Sequence, residues 1–395
     1  MDRLTILQII RGLDIGGDSG GAERFGVELS RALNRAGQRV LLCAFFRVRT
    51  DTEKGWQKIL QDEGIETFFL VDWRGTNNLK QYLLGLKILQ QRIRSVKVDI
   101  AHSHFQLGSL TALILKIFHK TKTALRTAHI RHEWELGKNS WFLHNVFIKR
   151  LFPMVLDAQV GVSQAVVDYL ALLPGSKISG REPVLIYNAV SFETKADISK
   201  APELIRTNPE DLLIISVGRL TEQKGYEYLL KAIPTVLRAF PQTKFYFVGD
   251  GELHEELEHL ARTIDINQHV NFLGIRSDVA YLLPQCDLFV LSSLWEGFPT
   301  VIMESMVSGT AVIATDIPGS QELVRSGQNG WLAAPRDPEN LAAMIIYALT
   351  HPDERNRVAK QASEDVKLFF IDVICKGYLK LYERLRFRAK STGEG

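Results

Sequence analysis

The segment SSLWEGFPTVIMESMVSG, residues 292–309, places two carboxylates, Glu296 and Glu304, on either side of a proline. Pro299 suits the first position of a helix, where its missing N–H would have no partner anyway and its fixed φ fits the turn. The amides around Gly297, Phe298 and Thr300 then point outward as an anion site, with the helix dipole behind them. Gly297 permits close approach of a phosphate, and both carboxylates can accept hydrogen bonds from sugar hydroxyls. Taken alone, Glu304 reads more simply as a solvated helical residue and Glu296 as a loop charge.

A second segment changes that balance. In SVGRLTEQKG, residues 216–225, an apolar run ends at Gly218 and is followed by Arg219 and then Lys224. In an open α/β sheet the ligand crevice lies outside the carboxyl ends of the strands, so a diphosphate bound there would meet both cations. Ordinary surface charge is the competing reading for either residue alone. His129 stands at the end of another apolar run, before IRHEWE; a lone histidine on an apolar strand is more often a satisfied core residue, but the strand-end position favours a functional role. His102 and His104, in AHSH, have no third ligand nearby to make a metal centre, and cleft-lining or structural roles fit them better.

These residues need a scaffold, and the hydrophobic pattern supplies one. Apolar runs LTILQII, RVLLCAF, VDIAHSH and ALRTAHI alternate with amphipathic stretches at 22–36, 77–95 and 107–119. A second series follows residue 210: LLIISVG, KFYFVGD, VNFLG, LFVLSS, AVIAT and GWLAA. Runs without polar alternation imply parallel strands covered on both faces. A chain of 395 residues exceeds what one core usually organises. The expected organisation is an N-terminal Rossmann-like domain over 1–187, a linker rich in Lys, Ser, Glu and Pro over 188–210, and a second Rossmann-like domain over 211–370. A C-terminal helix over 371–395 is expected to pack back on the first domain.

The motifs in this order resemble the retaining, family 4 glycosyltransferases of GT-B fold. EGFPTVIME is similar to that family's E-x7-E motif. GGAER at 20–24, AHSH at 101–104, TAH at 127–129, GVS at 161–163, GRLTEQKG at 218–225, VGDGEL at 248–253, NFLG at 271–274 and PGSQELVRSGQNG complete the series. The resemblance covers nearly the whole chain. It implies an α/β GT-B architecture, two doubly wound parallel-sheet domains facing a cleft, the acceptor bound by residues 1–187 and the nucleotide-sugar donor by residues 211–370. It implies that Glu296 contacts the donor sugar, Glu304 the ribose, and Arg219 and Lys224 the diphosphate, with Gly20 and Gly21 closing over the phosphates. His129 is implied to position the sugar. Gly274 and Ile275 are expected to shape the donor pocket. One departure stands at Tyr187-Asn188-Ala189-Val190-Ser191, where the family usually has Asn-Gly-Val-Asp; Ala tolerates positive φ poorly, so the hinge turn is in question.

No D-x-D occurs, so cations and helix amides must neutralise the leaving diphosphate, and no metal or other cofactor is expected. The expected partners are a nucleotide sugar, most commonly UDP-linked, and a glycan or lipid-linked acceptor, with no nucleic acid. Residues 1–190 carry 26 Lys+Arg against 17 Asp+Glu, while the remainder is acidic. A basic half suits an anionic surface, and Lys116, Lys120, Lys122 and Arg126 with the aromatic run 141–152 are candidates to meet a membrane; a solvated basic face is the plainer alternative. Three scattered cysteines fit a reducing compartment, and no uncharged run reaches the roughly 18 residues of a spanning helix. A cytoplasmic, at most peripheral, location follows. An epimerase of the same fold and a silent nucleotide-sugar binder are the rival functions; a phosphorylase would need a much longer chain.

Overall fold

The computed structural model describes residues 3–15, 20–75, 79–129, 144–191 and 210–391. Most of the expected linker, 192–209, and the segment IRHEWE after His129 lie outside the described residues. The chain divides into two compact units: Met1–Asn188 with Ile371–Gly395, and Ala189–Phe370.

Unit 1 is built on seven strands: β1 (Thr5–Ile10), β2 (Arg39–Arg47), β3 (Glu66–Asp72), β4 (Val98–Ser103), β5 (Thr121–Ala128), β6 (Ala158–Gly161) and β7 (Val184–Leu185). Their order is β3-β2-β1-β4-β5-β6-β7, and every pairing is parallel. β1 is buried at every position after Thr5, as a central strand covered by helices on both faces requires. Helices α1 (Gly21–Arg35), α2 (Asp51–Asp62), α3 (Leu79–Arg92) and α4 (Gln106–Ile117) make the crossovers between the first five strands.

The helix Ile371–Ser391 belongs to unit 1. It sends Tyr378 and Tyr382, both fully buried, against the sheet. The Tyr382 hydroxyl lies 2.7 Å from His102 Nδ1 and accepts from Gln8 Nε2 at 3.3 Å. His102 Nε2 lies 2.8 Å from Thr127 Oγ1, which in turn meets the Tyr378 hydroxyl at 2.9 Å. Strands β1, β4 and β5 are thus tied to the last helix through one buried polar network. An Arg35–Asp372 ion pair at 3.0 Å adds an exposed contact between α1 and that helix.

Unit 2 has six strands: β8 (Leu212–Val217), β9 (Thr243–Val248), β10 (Val270–Phe272), β11 (Leu288–Leu291), β12 (Ala311–Thr315) and β13 (Trp331–Ala333). Their order is β10-β9-β8-β11-β12-β13, again with all pairs parallel. Each sheet therefore reverses its winding once, between β1 and β4 and between β8 and β11, and ligands of doubly wound sheets bind at those points.

Two expectations need correction. Ala189 is not among the non-glycine residues with left-handed backbone, which among the described residues are Arg49, His119, Asp265 and Arg336; the alanine there causes no backbone strain. Of the basic side chains assigned to a membrane surface, Arg126 is buried, donating to Gln159 at 2.9 Å and stacking 5.3 Å over Phe152. Lys116 is held by Asp157 at 2.6 Å. Both are structural, because a buried or paired cation has no free face to offer.

The network predicts unequal costs for its two tyrosines. Tyr382→Phe strips a partner from both His102 and Gln8 and should destabilise by about 1–3 kcal/mol. Tyr378→Phe should cost less, since Thr127 keeps His102. Urea unfolding of the two variants checks the ranking.

Candidate active site

The residues singled out in the second half converge at the switch point of unit 2. β8 ends at Val217, and Gly218 follows with φ +156°. A Cβ on Gly218 would stand 2.9 Å from Lys224 Cε, so glycine lets the lysine stem fold over the strand end. Glu222–Lys224 then form one 3-10 turn, closed by Gly225 at φ +57°. A Cβ at Gly225 would collide with the carbonyl of Ser292 at the end of β11. The two strand ends accordingly lock together: Leu294 N–H donates to Gln223 O at 2.7 Å, and Ser292 Oγ donates to Lys224 O at 2.9 Å.

That lock fixes Glu296. Its Oε1 accepts from Lys224 Nζ at 2.6 Å and from Ser293 Oγ at 2.7 Å, while Oε2 accepts from Gln223 Nε2 at 3.3 Å. Lys224 and Glu296 side chains are only 14% and 8% exposed, so their charges answer each other out of bulk water. Gly319 allows the Glu296 backbone to pass, since a Cβ there would meet its carbonyl oxygen at 2.9 Å. Arg219 lies at the rim, exposed, with no side-chain partner among the described residues.

Beyond Glu296 the chain enters the helix Thr300–Ser308. Pro299 is its N-cap, with φ −72° and ψ 106°, one position earlier than the first helical turn expected for it. No side chain caps this end, which leaves the first amides, from Thr300 onward, for a ligand. Gly297 and Phe298 are buried beneath it, and Glu304 is half-buried one turn in. Gly274, at φ +64°, and Ile275, 57% exposed, follow β10, two strands away from β8. Ser293 and Gln223, although inside the quoted motifs, were not foreseen as partners of Glu296, and the contact of Gln223 depends on a strand pairing across 73 residues.

Unit 1 holds the remaining residues. Gly20 and Gly21 open α1, where Gly20 N–H donates to Glu23 Oε2 at 2.9 Å. His129 directly follows β5 and is buried, its ring 5.4 Å from Phe25 and 5.8 Å from His104. His104 Nε2 lies 2.7 Å from Gln8 Oε1. Burial holds His129 and His102 down to about 3, His102 also feeling His129, and pushes His104 well below the ordinary histidine value.

Two family profiles match the chain: "Glycosyltransferase Family 4" over residues 19–194 and "Glycosyl transferases group 1" over residues 197–365. An uncharacterized glycosyltransferase of Haemophilus influenzae is 32% identical over 351 residues, covering 85% of this chain and 89% of that protein. The chain belongs to glycosyltransferase family 4. The lipopolysaccharide core biosynthesis glycosyltransferase LpsE of Rhizobium meliloti is 30% identical to the transferase over 207 residues, 52% of this chain and 56% of LpsE. The crystal structure of Anabaena HepE in complex with UDP and glucose superposes with a TM-score of 0.79 at 21% identity, covering 97% of the transferase and all of HepE. The fold is GT-B. No described helix of the transferase is long and apolar enough to cross a membrane.

The buried histidines set an acid limit. Each is neutral when folded but titrates near 6.5 when unfolded, so the unfolded state binds more protons below that pH. Their contribution is complete above pH about 6.5 and falls as pH drops toward 3, by up to ~1.4 kcal/mol per unit for each ring. His254, raised by its hydrogen bond to Asp250, works in the opposite sense but is solvent-screened. Unfolding of unit 1, followed by urea titration at pH 7.5, 6.0 and 5.0, should show stability falling between each pair; a flat profile would mean the rings are not held neutral.

Proposed function

We propose that this transferase moves a hexose or N-acetylhexosamine from a UDP-sugar to a hydroxyl of a cell-envelope glycolipid or polysaccharide, with retention of configuration and without a metal. The observation that carries the donor half of this reading is Glu296 locked to Lys224 at the carboxyl end of β8, beside an uncapped helix N-terminus. A diphosphate needs cations and amides, a sugar needs a fixed hydroxyl acceptor, and this switch point offers all of them. That HepE was crystallised with UDP and glucose, and that LpsE is named for lipopolysaccharide core synthesis, support the donor and acceptor classes.

As the glycosidic bond to the diphosphate lengthens, positive charge grows on the sugar and negative charge on the leaving oxygen. Arg219, Lys224 and the amides from Thr300 answer the latter. Glu304 is assigned to the ribose, and Gly20 and Gly21 to the phosphates. Glu296 orients the sugar and is the carboxylate fixed next to the cations, but it is already hydrogen-bonded by three donors, a poor state for a nucleophile. His129, with a pKa near 3, is too weak a base to deprotonate a hydroxyl at neutral pH. Both features favour front-face attack, in which the departing phosphate oxygen takes the acceptor proton while the neutral imidazole positions the sugar.

Thermal melts against a panel of nucleotides and nucleotide sugars test the donor site, because a ligand bound only by the folded state raises its stability. UDP and one UDP-sugar should raise Tm, and Arg219→Ala or Glu304→Ala should abolish most of the shift. Glu296→Gln should keep the UDP shift, since Lys224 is then released to the diphosphate, but should lower kcat by 100-fold or more. Absence of any nucleotide shift would remove the proposal. Turnover should also survive a strong chelator unchanged; loss of activity that magnesium restores would overturn metal independence.

A further inference from the structure

Away from the histidines, the carboxyl ends of β2 and β3 and the start of α3 enclose an open groove of about 550 Å³. Arg47 ends β2, Arg74 follows β3, and Lys80 stands in the first turn of α3; all three line it. Its floor is apolar, formed by Phe69, Val71 and Leu84 among others, with the Arg47 guanidinium 5.2 Å over the Phe69 ring. Nearby carboxylates are already engaged. Asp72 is held by Arg49 at 2.9 Å. Glu53, 3.7 Å from Arg47, is buried and accepts the amides of Val48 at 2.7 Å and Arg49 at 3.1 Å. Arg74 and Lys80 are exposed and make no ion pair among the described residues.

An uncovered apolar strip adjoins these cations. On α3, Leu79, Leu83 and Leu84 are 72%, 55% and 52% exposed. Leu79 with Leu83, and Lys80 with Leu84, are four residues apart and so neighbours on the helix surface. Basic heads beside bare leucines complement a ligand that is anionic at one point and hydrocarbon next to it; a soluble sugar uses the cations at most and leaves the leucines wet.

We propose that this groove holds the phosphate of a lipid-linked acceptor, with the lipid along Leu79, Leu83 and Leu84 and the saccharide running along the carboxyl edge of the sheet toward His129. This rests on the glycolipid reading above and names the part of the chain that recognises the glycolipid. Three to four strand spacings separate β2 and β3 from β5, about 15–19 Å at the usual interstrand distance. A saccharide of several units, rather than one sugar on the phosphate, spans that length.

The test is a binding measurement on the full chain that needs no turnover. Isothermal titration with farnesyl diphosphate, inorganic pyrophosphate and farnesol should show the first bound at least tenfold more tightly than either fragment. The double variant Arg74→Glu/Lys80→Glu should weaken farnesyl diphosphate at least tenfold, and Leu83→Ser/Leu84→Ser should reduce it toward pyrophosphate. All four side chains are exposed, so both variants should melt like the parent and keep its UDP shift. Unchanged binding after charge reversal, or farnesol bound as tightly as the diphosphate, would overturn the proposal. Farnesyl diphosphate binding by a chain that no UDP ligand stabilises would instead sink the donor reading and uphold this one.

Discussion

The candidate site of the second unit depends on one close approach. The turn after β8 must touch the carboxyl end of β11, and Gly225, with left-handed backbone and no room for a Cβ against Ser292, permits it. Once the two strand ends share hydrogen bonds, Lys224 and Glu296 are brought from opposite sides into a nearly dry ion pair. A lone carboxylate in that position would be costly, as would a lone ammonium, and together with Ser293 and Gln223 they satisfy each other. Fixed charges of this kind are what the proposed stabilisation of a developing charge requires.

The first unit solves a different problem, that of keeping three imidazoles together in a core. Burial makes the charged form expensive, so the rings are neutral and must find donors and acceptors for their nitrogens. Tyr382 from the last helix, 280 residues away, meets His102 Nδ1, Gln8 meets His104 Nε2, and Tyr378 reaches Thr127, which meets His102 Nε2. The helix is thereby fastened to the same strands, β4 and β5, whose ends carry His104 and His129. A neutral, tightly placed histidine suits a positioning group, and the front-face displacement proposed above asks for no stronger base.

Much of this was legible beforehand. The continuous apolar runs became β1, β2, β4 and β5 and all six strands of unit 2, because buried parallel strands leave no polar alternation to confuse the reading. β3 went unremarked, being an edge strand, and so did β6 and β7, of four and two residues. Local motifs pointed to Lys224 and Glu296 as ligand groups, but their mutual pairing arises from strand order, which no local pattern records. Arg126 and Lys116 looked like free surface cations because composition does not show that Gln159 and Asp157 lie beside them. The concern over Ala189 likewise came from a residue type, whereas its actual φ is ordinary.

On the proposed donor reading, the pairing of Lys224 with Glu296 gives the exposed Arg219 at the same strand end a distinct role. An exposed guanidinium with no side-chain partner among the described residues would meet an incoming diphosphate without first breaking a contact. Lys224 cannot, since its ammonium is committed to a carboxylate; it can only share itself as the phosphate approaches. On the proposed donor reading the two cations would divide the work, one capturing the ligand and the other joining when charge accumulates on the leaving oxygen. Differential interaction of that kind lowers a barrier, whereas equal grip on ground and transition states would not.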